Sequence, residues 1–167
     1  MANQEKIQKA VEKFHEVRDM PFHISMDGEA EYDCEGKARL LAKELQSLGY
    51  KPFLRASLFH WSDLELPEEI NSIGHEDEST HWFLEVENLD GESVFVDPTW
   101  NPELEKAGFL ISEWDGIGST SLTTPCYRIF SRKESEEHLK TVKYPDDDFY
   151  DAFNKYCDSF LEGGKVG

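Results

Sequence analysis

The chain contains no apolar run approaching the roughly 20 residues that a membrane-spanning helix requires. It has only three cysteines, Cys34, Cys126 and Cys157, odd in number and widely spaced. That pattern argues against a disulfide framework and suits a reducing compartment. Met1 to Lys6 lead directly into a charged helical pattern, with no apolar stretch of a secretory signal. A cytoplasmic protein with free thiols is therefore expected. Basic side chains are also scarce, 17 against 35 acidic ones, for a formal net charge of −18. Such a surface repels phosphate backbones and anionic headgroups, so neither nucleic acid nor a membrane surface is an expected partner. Internal repeats, a glycine-rich phosphate loop and a Cys-x-x-Cys pair are all missing.

Aromatic residues, by contrast, are plentiful at 13% of 167 residues, enough to supply one well-buried core. A single domain over residues 1–167 follows. Ile7, Ala10, Val11, Phe14 and Val17 keep helical spacing and should end before Pro21. Residues 21–33 read as a loop. A second helix opens after Asp33 as its cap, carries the apolar stripe Ala38, Leu41, Ala42, Leu45 and Leu48, and stops at Gly49. Phe53 to Phe59 predicts a strand, Trp61 to Ser79 a long polar loop that could roof a cleft, and Phe109 to Trp114 and Leu122 to Phe130 two further strands. Ser131 to Lys140 reads as a short helix. Phe149, Phe153, Tyr156, Cys157 and Phe160 form the inner stripe of a last one, with Asp146, Asp147 and Asp148 at its N-terminus.

Three stretches carry one chemistry. Cys34 opens the second helix, where the macrodipole and unpaired backbone N–H groups favour thiolate. His81 leads the apolar strand His81-Trp82-Phe83-Leu84-Glu85-Val86, and Asp97 ends the strand Val94-Phe95-Val96. A nucleophile, a base and a base-orienting carboxylate thus occur in that order. The hairpin between the last two imposes a geometric condition. A turn centred on Leu89 places Leu84 opposite Val94, Trp82 opposite Val96 and His81 opposite Asp97. A two-residue Asp90-Gly91 turn sends His81 and Asp97 to opposite faces, so the triad needs a wider turn or a bulge.

Cys34 with Ala38, Leu41, Ala42, Leu45, Leu48, Gly49-Tyr50 and Arg55 resembles the cysteine helix and following strand of the transglutaminase-like superfamily. His81-Trp82, Glu85-Val86, Asp90-Gly91 and Val96-Asp97-Pro98-Thr99-Trp100-Asn101-Pro102 are similar to its histidine and aspartate strands. The resemblance spans roughly residues 30–104. It implies an α+β, papain-like fold, with the cysteine helix packed on an antiparallel sheet and flanking helices. It further implies a cysteine enzyme acting on peptide or protein amides as peptidase, amidase or acyltransferase. Cys34, His81 and Asp97 would be its catalytic residues, working through a thioester.

The chain departs from the family pattern upstream of Cys34. No Trp occurs there, and the only Gln residues are Gln4 and Gln8 on the first helix. The second oxyanion donor is therefore left open between a backbone amide and Tyr32. A catalytically inactive module that binds a peptide or protein is the alternative reading. An arylamine N-acetyltransferase lacks its arginine-glycine-rich cysteine motif here. His60, His75, His81 and Cys34 match no compact zinc spacing, so neither a metal nor another cofactor is expected. Substrate and oligomeric state are not legible.

Overall fold

In a computed structural model, residues 2–26 and 32–161 are described. The loop expected over 21–33 and the first residues of the family resemblance therefore lie partly outside them. The architecture is mixed α and β, built on a four-stranded antiparallel sheet of order β3-β2-β1-β4. Helix α1 (Asn3–Arg18) precedes α2 (Cys34–Gln46). Strand β1 (Lys51–His60) pairs with β2 (Glu78–Glu87), and β2 with β3 (Ser93–Val96). The chain between β1 and β2 holds a 3-10 turn, Trp61–Leu64, and the one-turn helix α3 (Glu68–Asn71). After β3 follow a 3-10 segment, Pro102–Ala107, the short edge strand β4 (Arg128–Ile129), and helices α4 (Arg132–Thr141) and α5 (Asp147–Asp158). No helix among the described residues is long and apolar enough to cross a membrane.

Helix α2 forms where the sequence directs it. Asp33 caps it by accepting the Gly36 N–H at 2.8 Å, and the chain turns out at Gly49, whose φ of 94° suits a residue without Cβ. Leu41 and Leu45 are fully buried against Leu84, Val86 and Val96, while Lys43 faces solvent. This is the helix-on-sheet layer. A second apolar cluster gathers Phe59, Trp61, Trp100 and Phe109 around Phe149, Phe153 and Cys157 of α5.

Two expectations need correction. The stretch from Trp61 to Ser79 is not one long polar loop, although Trp61 and Ser79 do line a cleft. Trp61, Leu64, Leu66 and Ile70 are buried in the second cluster, and Asp77 ties the segment's base by accepting from Ser62 N and Oγ at 2.8 Å each. The helical turns there are too short to show a period in the sequence. Phe109 to Trp114 is not a strand, and of Leu122 to Phe130 only Arg128–Ile129 is. In this region side chains take up backbone groups that a ladder would use. Arg18 Nη1 donates to the Ser112 carbonyl at 2.9 Å, and the Thr123 N–H goes to Asp97 at 2.8 Å.

The hairpin register also differs from expectation. Leu84 lies opposite Val96 and Val86 opposite Val94, a slip of two residues. The turn is wider than two residues: Asn88 N donates to Glu92 O at 2.8 Å, and Gly91 at φ 81° supplies the left-handed step. Asn88 Oδ1 accepts the N–H groups of Asp90 and Glu92, fixing the turn. Because side chains alternate with period two, a slip of two leaves every residue on its original face. His81 and Asp97 consequently share a face, diagonal to each other rather than opposed.

Candidate active site

Asp97 follows directly on β3, and its carboxylate is fully buried. Oδ2 accepts from His81 Nε2 at 2.7 Å, from Thr123 N at 2.8 Å and from Thr123 Oγ1 at 3.0 Å; Oδ1 accepts from Thr99 Oγ1 at 2.5 Å. Its backbone is held as well, N–H by Thr120 Oγ1 at 2.9 Å and carbonyl by the Ser112 hydroxyl. Burial alone would push this carboxyl up. The His81 charge and the hydrogen bonds from His81, Thr99 and Thr123 outweigh it and hold Asp97 below the ordinary carboxylate range. The bond to Asp97 occupies Nε2 of His81, so Nδ1 is the nitrogen left to exchange a proton with a thiol. Phe59 and Phe83 pack against the imidazole ring, which is only 2% exposed.

Cys34 opens α2, which packs on the opposite face of the sheet, and it meets the His81 side only as a wall of the same cleft. Leu84 and Val86 point to the α2 face, so His81, of opposite parity on β2, points to the other. The carbonyl of Ala56 is taken by Phe130 N at 2.9 Å, so the Ala56–Trp82 pair exchanges no ladder bonds and the Trp82 N–H faces the β3 side. The last ladder pair there is Leu84 with Val96, two residues short of Trp82. Cys34 packs beside Trp82 near that opening, close enough for the Trp82 N–H to act on the thiol. Cys34 and His81 line one cleft, walled by Phe22, Phe59, Trp61 and Trp100.

The thiol is not pre-ionised as the helix-terminal position suggested. Burial pushes it well up, and the charges of Asp33, Asp97 and Glu35 push the same way, with the Trp82 N–H acting against them. Burial of the sulfur is the main reason, and the cap adds to it: Asp33 is the residue before Cys34, and its carboxylate offsets the positive helix end that was to favour thiolate. Cys126 and Cys157 are likewise raised by burial. Cys126 bonds Ser57 and Thr124 hydroxyls at 3.0 Å, and Cys157 sits in the core.

The other histidines do not join the site. His60 stacks on Tyr127 and His75 on Phe149, and among the described residues no group of three or more His, Cys, Asp or Glu side chains is arranged to hold a metal ion. Thr99, Thr120, Thr123 and Ser112, which fix Asp97, were not singled out in the sequence. Only Thr99, two residues after Asp97, carried a local signal, since hydroxyl residues near a turn aspartate bond locally. Another unforeseen link runs from α2 toward this cradle. Fully buried Lys37 donates to the Arg18 carbonyl at 2.7 Å, and Arg18 in turn holds Ser112. Burial lowers the Lys37 ammonium to about 7. No family model, curated protein or solved structure matches the chain.

Proposed function

We propose that the protein is a cysteine enzyme of transglutaminase-like, papain-like type, acting on peptide or protein amides as hydrolase or acyltransferase. The observation that carries the reading is the buried His81–Asp97 pair at 2.7 Å, facing a cleft that it shares with Cys34. Asp97 orients the imidazole through Nε2. His81 takes the thiol proton through Nδ1 as sulfur attacks the amide carbon. The C–N bond then breaks, the amine leaves with the proton from His81, and water or a second amine resolves the thioester. The first N–H groups of a helix have no partner within it, so the Cys34 N–H is available as one oxyanion donor.

A protonated resting thiol makes His81 a base that works during attack, not the partner of a standing ion pair. The same raised thiol favours a second reading, a cleft that holds a peptide without cleaving it. Turnover of amide, peptide and γ-glutamyl substrates, with Cys34→Ala as the blank, separates the two. Cys34-dependent release of amine is the expected result. Binding of a peptide with equal affinity by both proteins and turnover by neither would favour the binding module.

A further inference from the structure

Tyr144 lies in the connection between α4 and α5, a segment to which the sequence pattern assigns no role. Trp82, the neighbour of His81 on β2, donates its indole N–H to the Tyr144 hydroxyl oxygen at 2.7 Å. Tyr144 lines the same cleft as Cys34 and His81, and Tyr32, the other phenol considered, is not among the residues that line it. A phenol that accepts one hydrogen bond still has its own hydrogen to give. Among the described residues that hydrogen has no acceptor. Trp82 is 1% exposed and packed beside Cys34, so the group that aims the phenol is itself fixed. Tyr144 is 40% exposed as a whole, while burial around its hydroxyl pushes that group up and keeps it a donor.

We propose that Tyr144 is the second oxyanion donor, its O–H aimed by Trp82 at the carbonyl oxygen of an acyl group under attack by Cys34. The assignment rests on the reading of Cys34 as nucleophile. As the S–C bond forms, the carbonyl π pair moves onto oxygen. The Tyr144 O–H and the Cys34 N–H each donate a hydrogen bond to that oxygen and keep their protons. When C=O re-forms, the bond to the leaving group breaks, and an amine departs with the proton that His81 received from the thiol. Trp82 touches no reacting atom and is a positioning residue. A hydroxyl here would replace the side-chain donor that is missing upstream of Cys34.

The test compares wild type, Tyr144→Phe and Cys34→Ala in two reactions. Acylation by p-nitrophenyl acetate develops an oxyanion, whereas alkylation by iodoacetamide needs thiolate and develops none. Phenylalanine keeps the ring, and circular dichroism verifies the fold. Tyr144→Phe should slow the Cys34-dependent acylation by about 10²–10³-fold, the usual effect of removing one such donor. Alkylation of Cys34 should stay within about twofold, because thiolate formation does not use the phenol. Acylation at the wild-type rate in Tyr144→Phe would overturn the Tyr144 assignment and leave the nucleophile standing. Equal slowing of both reactions would also overturn it, since Tyr144 would then act on the thiol. Wild-type acylation no faster than Cys34→Ala would overturn the nucleophile reading, and this assignment with it.

Discussion

Asp97 is fully buried and receives four hydrogen bonds on its two carboxylate oxygens, whereas at the Cys34 sulfur only the Trp82 N–H favours the ionised form and the carboxylates of Asp33, Asp97 and Glu35 oppose it. One half of the site is held in its charged form before any substrate arrives. The other is held neutral. The contrast shows how a thiol beside a well-oriented base can avoid being a permanent thiolate. Burial, Asp33, Asp97 and Glu35 favour the protonated sulfur, and in the proposed reaction the imidazole fixed by Asp97 is the group that removes that proton.

If the two halves differ in this way, their removal should differ most in stability. Asp97→Ala strands His81 Nε2, Thr99 and Thr123 without their acceptor and should cost about 3–5 kcal/mol, the range for breaking a buried pair. Cys34→Ala removes a single acceptor and should cost about 1 kcal/mol. Urea unfolding of both proteins checks this, and equal costs would erase the distinction. The next effect is on reactivity. With its pKa raised, Cys34 should alkylate slowly at pH 7 and gain about tenfold per pH unit up to pH 9, as the thiolate fraction grows. A rate already level below pH 8 would mean a standing ion pair with His81.

A third effect, spread over several pH units, concerns Lys37. An unfolded lysine keeps its proton to about 10.4, and the folded one loses it at about 7. Between those values the unfolded chain binds more protons, so this group makes stability rise with pH from 7 toward 10. Lys37→Met should flatten that rise relative to wild type in thermal unfolding across the window. An unchanged slope would show that burial does not lower the Lys37 ammonium in the folded protein.

Much of the frame was legible because it is periodic. Leu41 and Leu45 at helical spacing, and Leu84 and Val86 at strand spacing, specify which faces meet, and Asp33 with Gly49 marks both ends of α2. The hairpin was legible in parity and not in register. A turn centred on Leu89 and one centred on Asp90 put the same side chains inward, and the Asn88 side-chain bonds hold the second. Residues 109–114 and 122–127 were misread as strand because their apolar residues recur as in a strand while their backbone is claimed by side chains from distant elements. Those contacts, Arg18 to Ser112 and Thr123 to Asp97 above all, have no local signature. For the same reason the sequence located Cys34, His81 and Asp97 but neither the hydroxyl cradle of Asp97 nor Tyr144. The raised thiol was missed because burial of the sulfur depends on distant packing, and because the cap that starts the helix also places a carboxylate next to it.

The central claim is that Cys34 carries the acyl group. Wild type, Cys34→Ala and His81→Ala mixed with p-nitrophenyl acetate, quenched in acid and weighed as intact proteins before peptide mapping, test it directly. The account predicts one acetyl adduct in the wild type, mapped to the peptide containing Cys34. It predicts none at that site in Cys34→Ala, and formation slowed by about 10²–10⁴-fold in His81→Ala, the span of general base catalysis. An adduct spread over Cys34, Cys126 and Cys157 alike, or one that forms on Cys34 at the same rate without His81, would contradict it.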